Sequence, residues 1–125
     1  MPHLTLHYSA NIGRVPDLKR LFGELHGTLA GLVGIDIAKF KSRAMRCDDF
    51  LVGDGRPTNA FAHLNLRVLG GRVAEDRCKL SDAALAILKA HFGEAAPGGD
   101  IQITVDLLDL DPDTYRKFAI KGGTP

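Results

Sequence analysis

The sequence predicts an α+β fold in which a βαβ unit occurs twice, giving one four-stranded sheet with two helices on one face. Stretches of alternating apolar and polar residues, typical of strands, lie on either side of two stretches of helical periodicity. Glycine and proline clusters separate these stretches. With 125 residues and 45% hydrophobic content, the chain has the size and composition of a single domain around one core.

The first half of the chain is predicted to form a strand, a helix and a second strand. Residues 3–8 alternate apolar and polar side chains, which predicts a strand with one buried face. Apolar residues then recur at helical spacing over residues 15–32, where Pro16 suits the first turn and Gly34 suits the end. Residues 35–45 are predicted as the second strand, with Lys39, Lys41 and Arg43 spaced two apart on one face.

The second half repeats this order after a connecting excursion. Residues 48–59 contain strong turn formers and are predicted as a hairpin excursion outside the core. A strand over residues 60–69 precedes a helix over about residues 73–92. Residues 101–107 form the clearest alternating strand of the sequence, and a short terminal arm follows it.

A short internal repeat supports the duplication. The sequence HLTLH at residues 3–7, followed by GRV at 13–15, reappears as HLNLR at 63–67, followed by GRV at 71–73. We therefore interpret the chain as one domain, 1–125, with pseudo-repeats of about 2–46 and 60–108 and a carboxy-terminal arm over 109–125. Right-handed crossovers place both helices on one face of the sheet, so neighbouring subunits are expected to bury the other face.

Several motifs give the chain a resemblance to a known family. The chain opens with Met-Pro-His before an apolar strand, and it carries Lys-Ser-Arg at residues 41–43 and Gly-Gly-Arg at residues 70–72. With Asp-Gly at 54–55 and Ala-Phe-Ala-His at 60–63, the chain resembles the 5-carboxymethyl-2-hydroxymuconate Δ-isomerase family. That family belongs to the tautomerase superfamily, with 4-oxalocrotonate tautomerase and macrophage migration inhibitory factor. The resemblance extends to about residue 107 and fades in the terminal arm.

The resemblance implies a homotrimer and a set of site residues. It implies that Pro2, uncovered by removal of Met1, is the catalytic base, and that Arg72 binds substrate. The family has an arginine where this chain has Lys41. Lysine keeps the charge but lacks the planar guanidinium that binds a carboxylate through two hydrogen bonds. Either Arg43 compensates for this change or the substrate differs.

These residues suit a proton transfer within an unsaturated oxo acid. An α-amino group ordinarily titrates near ~7.7 to 8.0, so a base at neutral pH needs burial or nearby cations to lower its pKa. Lys41, Arg43 and Arg72 are predicted to lower it, and also to bind substrate carboxylates and stabilise the charge that develops on oxygen. Backbone amides of Gly70 and Gly71 are expected to approach an anion, with Arg72 in the first helical turn. Neither a metal nor an organic cofactor is predicted.

Two other functions remain open from the residues alone. One is an enzyme of the same fold with hydratase or dehalogenase chemistry, and the other is a non-enzymatic, ferredoxin-like module that binds a small molecule. Binding to RNA is not expected, because readers of RNA on a sheet display aromatic residues and this chain has few. A net charge of +1 gives no global attraction to nucleic acid or to an anionic membrane. No apolar stretch is long enough to span a bilayer, and a cytoplasmic location is expected.

Other residues with reactive side chains receive structural interpretations. Cys47 and Cys78 are predicted to be reduced thiols without a task, and Tyr115 and Phe118 to anchor the arm on a neighbouring subunit. No metal site is predicted, and structural or surface roles are expected for three strand histidines, His3, His7 and His63.

Overall fold

A computed structural model describes residues 1–122, and the predicted α+β fold class is confirmed. The elements in chain order are β1 (His3–Ser9), α1 (Leu18–Val33), a short 3₁₀ helix (Ile37–Lys39), β2 (Lys41–Cys47), β3 (Asn59–Leu69), α2 (Ala74–Ala95) and β4 (Asp100–Leu110). Neither α1 nor α2, the α-helices of the described chain, combines the length and apolar character that crossing a bilayer requires.

The sheet has the strand order β2-β1-β3-β4. β1 pairs in parallel with β2, and β3 pairs in parallel with β4, each pair being joined through one helix. β1 and β3 join the two βαβ units in antiparallel fashion, with Leu6 opposite Leu64. Both helices pack on one face of the sheet and contact each other. The amino terminus therefore enters the sheet at its centre, between β2 and β3.

Helix α1 begins and ends at residues that cap it. The Asp17 side chain accepts a hydrogen bond from the Arg20 amide (3.2 Å), and Gly34 adopts φ 67°, the left-handed conformation typical of a helix end. The predicted end at Gly34 is confirmed, whereas the helix begins at Leu18 rather than near residue 15. The start differs because Asp17 is extended and acts as the cap.

The predicted strand over residues 35–45 is wrong in its first part. Residues Ile37–Lys39 form a 3₁₀ helix, because the Asp36 carboxylate accepts a hydrogen bond from the Ala38 amide (3.0 Å) and starts a tight turn. β2 begins only at Lys41. Lys39 therefore does not share a strand face with the lysine and arginine of β2, as the spacing of these three cations had indicated.

The segment between β2 and β3 is a loop with turns rather than a hairpin. Gly53 and Gly55 adopt positive φ angles of 58° and 82°. The Asn59 side-chain amide donates to the carbonyl of Val52 (3.1 Å) and to the carboxylate of Asp54 (2.9 Å). These polar contacts close the loop on itself, so paired strands are not needed to order it.

The hydrophobic core lies between the sheet and the two helices. Alternate residues of β1 and β3 face this layer, while α1 and α2 contribute residues at helical spacing. The side chains with at most 1% exposure include Leu4, Leu6, Leu21, Leu25, Leu29, Leu64, Leu66, Leu88 and Phe92.

We expect Leu64→Ala to lower the free energy of unfolding by about 3 kcal/mol, because it leaves a cavity at the centre of this core. Leu64 is 0% exposed, whereas Leu51 in the loop is 79% exposed and provides the matched control. Leu51→Ala should change the free energy of unfolding by no more than about 0.5 kcal/mol. Urea unfolding of both variants measures the difference. Equal losses of unfolding free energy would contradict the placement of Leu64 in the core.

The opposite face of the sheet carries no helix in the described part of the chain, and we call it the open face. Its side chains alternate with those of the core and are mostly polar. They include His3, Thr5, His7, Arg43, Met45, Phe61, His63, Asn65, Arg67, Thr104 and Asp106.

Candidate active site

The amino terminus lies at the centre of one end of the sheet. Pro2, which precedes β1, is less than 2% exposed, and its carbonyl accepts a hydrogen bond from the Lys41 amide (3.2 Å). This bond holds the start of the chain against the first residue of β2. The amino group of Met1, which precedes Pro2, is thereby kept beside the sheet and is partly buried.

Four cations from separate segments act on this amino group through their charges. Burial is the main cause that lowers the pKa of the Met1 amine, and positive charges lower it further. These charges, in decreasing order of effect, belong to Arg72, Lys39, Lys41 and Lys117. We call the amino group and these four residues the amino-terminal cluster. It includes Lys41 and Arg72, two of the cations singled out from the sequence.

Arg72 is held in place by the backbone ahead of α2. Its guanidinium Nη1 donates to the carbonyl of Leu69 (2.9 Å). Gly71 has φ 108°, a conformation that favours glycine and lets the chain turn sharply between β3 and Arg72. A guanidinium carries five N–H donors, so this single bond orients the group and leaves most donors for an anion.

Two details expected around Arg72 are wrong. Arg72 does not lie in the first turn of α2, because the helix begins at Ala74. The Gly70 amide donates to the carbonyl of Leu110 (3.0 Å), which uses that donor to join β3 and β4. The positive groups near the amino terminus are therefore side chains, and the Gly70 amide is not part of an anion site.

Lys41 has a loosely held ammonium group. Its Nζ donates to the carbonyl of Lys39 (3.0 Å), and both side chains are exposed. An ammonium has three donors, so this contact leaves two for a ligand. The pair thus presents two positive charges beside the amino terminus.

Arg43 is not among the charges that lower the pKa of the Met1 amine, and its contact is with His3 on the open face. Its Nη2 lies 3.2 Å from Nδ1 of His3, and the His3 Nε2 lies 3.0 Å from the hydroxyl of Tyr115. A guanidinium can only donate, so this geometry assigns Nδ1 of His3 as the acceptor and places its proton on Nε2. Burial, followed by the charge of Arg43, lowers the pKa of His3, which agrees with a neutral ring. A role for Arg43 in binding substrate stays a prediction.

The terminal arm contacts its own chain through Tyr115. Its hydroxyl lies 3.0 Å from Nε2 of His3 in the same chain. The expected anchoring of Tyr115 and Phe118 on a neighbouring subunit stays a prediction. Phe118 and Ile120 are 87% and 90% exposed. The arm is therefore held by a polar contact, while its apolar side chains remain uncovered.

Lys39 and Lys117 are the members of the amino-terminal cluster that were not selected from the sequence. Lys39 could have been selected from the sequence, since it stands two residues before Lys41 in a row of cations with the same spacing. Lys117 had none, because the arm has no periodicity and lies beyond the family resemblance.

The other open-face histidines have local partners. The two ring nitrogens of His63 lie 2.6 Å from the hydroxyl of Thr104 and 3.1 Å from the side-chain oxygen of Asn65, and His7 stands opposite His63 in the β1–β3 register. Among residues 1–122, no three His, Cys, Asp or Glu side chains are grouped so that they could hold a metal ion.

We expect the free energy of unfolding to fall as the pH falls below about 7, partly because of His26. Its Nε2 lies 2.6 Å from the hydroxyl of Ser42, its ring packs on Phe40, and burial lowers its pKa from 6.5. The unfolded chain therefore takes up a proton at a higher pH than the folded chain, so acid favours unfolding from the unfolded pKa downwards.

Urea unfolding at about pH 7.5 and about pH 5.5 measures this effect. The His26→Gln variant, which cannot titrate at this position, should lose less stability between the two pH values than the unmodified chain. An equal or larger loss in the variant would contradict the expectation.

A family model, a related sequence and a solved structure to which this chain is similar all carry the same family name. A model of the 5-carboxymethyl-2-hydroxymuconate isomerase family matches residues 2–122. The 5-carboxymethyl-2-hydroxymuconate Delta-isomerase of Escherichia coli is 28% identical over 112 residues, covering 90% of this chain and 89% of the relative. A crystal structure of a 5-carboxymethyl-2-hydroxymuconate isomerase from Deinococcus radiodurans R1 superposes with a TM-score of 0.84 at 28% identity, covering 94% of this chain and 88% of that one.

The fold extends to more distant proteins. A macrophage migration inhibitory factor-like protein from Entamoeba histolytica superposes with a TM-score of 0.66 at 16% identity, covering 94% of this chain and 95% of the other. At this identity the similarity concerns the fold alone. It confirms the architecture that the family resemblance implied, a sheet built from two βαβ units with both helices on one face.

Proposed function

The chain belongs to the 5-carboxymethyl-2-hydroxymuconate isomerase family, and on this basis we propose that it moves a proton within an unsaturated oxo acid, using the amine of Pro2 as the base. Family membership confirms the prediction that the chain is an isomerase. The observation that carries the finer proposal is the position of the amino terminus, at the sheet centre and within the field of Lys39, Lys41 and Arg72.

The proposed base is the secondary amine that removal of Met1 uncovers. With Met1 still attached, Pro2 is less than 2% exposed, and its nitrogen is one residue nearer to β1 than the amino group of Met1. Burial and positive neighbours already lower the pKa of the Met1 amine, and both causes would act on the amine of Pro2. A larger share of this amine would then be neutral near pH 7, as a general base requires.

The proposed step conserves electrons and needs no redox partner. In an unsaturated oxo acid, the lone pair of the Pro2 nitrogen takes a proton from one carbon, and the electrons of that C–H bond move into the conjugated system. In a 2-hydroxydienoate, the proton taken is that of the hydroxyl group, and the electrons of the O–H bond stay on oxygen. The resulting dienolate carries negative charge on its oxygen. The Pro2 ammonium then returns the proton to another carbon, and the double bond shifts. Because nothing is oxidised or reduced, the step requires no redox cofactor.

The proposed substrate is a small molecule with carboxylate groups, bound by Arg72 and Lys41. Arg72 is oriented by its bond to the Leu69 carbonyl and keeps donors for a planar carboxylate. The ammonium of Lys41 supplies a point charge without that planar geometry. These charges also favour the negative charge that develops on the substrate oxygen during proton removal.

Intact mass and amino-terminal sequencing, followed by a ketonisation assay, test this proposal. We expect a chain that starts at Pro2 and catalyses ketonisation of a 2-hydroxymuconate-type dienoate. The ultraviolet absorbance of the dienoate measures the rate of this reaction. A chain that keeps Met1, or that lacks ketonisation activity, would contradict it. Product analysis with halogenated acrylates in the same preparation would reveal hydratase or dehalogenase chemistry instead.

We also propose that the chain forms the homotrimer implied by the family resemblance and acts in the cytoplasm. The open face supports assembly, because no helix covers it in the described chain, and Phe118 and Ile120 are largely exposed. Light scattering after size-exclusion chromatography should give three times the chain mass, and a monomer would contradict this part of the proposal.

A further inference from the structure

The carboxy-terminal arm returns to the amino terminus of its own chain. Residues Tyr115 and His3 are 112 positions apart in the sequence, yet the His3 Nε2 and the Tyr115 hydroxyl are 3.0 Å apart. Their rings also meet edge to face, with centroids 6.1 Å apart and an angle of 67°. His3 directly follows Pro2, so the contact places the arm beside the proposed base.

A turn fixes the direction in which Tyr115 leaves the sheet. The carbonyl of Asp111 accepts hydrogen bonds from the amides of Thr114 (3.2 Å) and Tyr115 (2.9 Å). The carboxylate of Asp111 accepts a further bond from the amide of Asp113 (2.9 Å). The turn follows β4 directly, so the arm is attached at one end to the sheet and at Tyr115 to β1.

Arg43 holds the histidine to which the arm is attached. Since its guanidinium donates to Nδ1 of His3, the proton of His3 lies on Nε2 and points at the Tyr115 hydroxyl. Arg43 thus orders the contact between His3 and Tyr115 from the open face. This contact also gives Arg43 a use other than binding substrate.

We propose that the arm is part of the substrate pocket, with Lys117 contributing a cation for a substrate carboxylate and with Tyr115 and Arg43 as positioning residues. This inference rests on the proposed function and extends it. Lys117 stands two residues after the anchored Tyr115, and its charge acts on the amino terminus together with those of Lys41 and Arg72. A second ammonium near Lys41 would restore part of the carboxylate binding lost by having lysine in place of the family arginine.

Replacement of Lys117 by methionine, which keeps the length and removes the charge, tests the inference. We expect KM to rise by about threefold to tenfold with little change in kcat, because an exposed charge contributes modestly to binding in the ground state. Lys121→Met removes an equivalent charge from the same exposed arm and should leave both parameters unchanged. Equal KM values for Lys117→Met and Lys121→Met would overturn the inference.

A binding measurement keeps this test independent of turnover. The dicarboxylate cis,cis-muconate has no hydroxyl group and cannot ketonise, so calorimetry can measure its Kd with any variant. We expect Kd to rise by about threefold to tenfold in Lys117→Met and not in Lys121→Met. If the chain lacks isomerase activity but shows this rise, the arm site stands and the proposed reaction fails. If activity requires Pro2 but neither Kd nor KM responds to Lys117, only the arm site fails.

A double-mutant cycle tests the positioning role of Tyr115. Tyr115→Phe removes only the hydroxyl that bonds to His3, so it should raise Kd and KM in the same direction as Lys117→Met. The double variant should be no weaker than Lys117→Met alone, because releasing the arm has no further effect once its charge is absent. Strictly additive losses would show that the two residues act separately and would overturn the positioning role.

Discussion

Replacing Pro2 by alanine is expected to lower kcat/KM for ketonisation by about 10²- to 10⁴-fold, the range typical of losing a general base. Alanine is also small, so Met1 should still be removed and an amine should remain. That amine is primary and lacks the ring that holds the nitrogen of proline in one orientation. Steady-state kinetics, with intact mass to verify the amino terminus, measures the loss.

Proline at the other end of the sheet provides the control. Pro57 is exposed in the loop before β3, and its carbonyl accepts from the Asn11 side chain, just beyond the far end of β1. Pro57→Ala should leave kcat/KM within about twofold, since surface changes of this kind have small effects. If Pro2→Ala were as active as Pro57→Ala, the proposed base would be wrong.

The pH dependence gives a second readout of the same residue. The ammonium form of Pro2 cannot accept a proton, so kcat/KM should decline as the pH falls through the pKa of the amine. Burial and nearby cations, Arg72 first among them, lower the pKa of the Met1 amine. The same causes would lower the pKa of the Pro2 amine, so the decline should move to higher pH in the Arg72→Ala variant, which lacks one of these cations. A decline at the same pH in the Arg72→Ala variant and in the unmodified chain would contradict an effect of this cation on the base.

Replacing Arg72 by alanine is expected to lower kcat/KM by about 10- to 100-fold, through a higher KM and a lower kcat. KM should rise because a carboxylate loses its charged partner. The value of kcat should fall because the same cation favours the dienolate over the ground state. Its charge lowers the pKa of the Met1 amine, and it would act on the Pro2 amine in the same direction. Kinetics with the dienoate substrate measures both parameters.

Two further variants sharpen the Arg72 experiment. Arg72→Lys keeps the charge but loses the planar fork, so it should fall between the unmodified chain and Arg72→Ala. Arg56→Ala is the matched control, because Arg56 is exposed in the distant loop and pairs only with Asp54 there among the described residues (3.2 Å). Equal effects of Arg72→Ala and Arg56→Ala would remove Arg72 from the proposed site.

The core and the order of elements could be predicted because they depend on local periodicity. The alternation of residues 3–8 and 60–69, and the helical spacing up to Gly34, each reflect one face packed against the same layer. The boundaries were less accurate where a polar side chain redirected the backbone. Asp17 capped α1, and Asp36 started a 3₁₀ helix within the segment expected to be a strand.

Only part of the candidate site could be predicted from the sequence. Pro2, Lys41 and Arg72 were selected from sequence motifs, and the structure places Lys41 and Arg72 around the amino terminus. The contacts of Arg43 could not be predicted, because spacing alone placed it beside Lys41 on one strand face. Its partner His3 belongs to a different strand, and only the register of β1 and β2 brings their side chains together.

The two βαβ units and their buried faces could be predicted from the sequence, and so could the residue types available at the amino terminus. These properties follow from side-chain period, turn residues and charge within short stretches of chain. The return of the terminal arm to β1 is visible only in the folded chain. This return adds Lys117 to the amino-terminal cluster. That contact joins Tyr115 to His3 across 112 positions, and no local pattern encodes a hydrogen bond between residues so far apart.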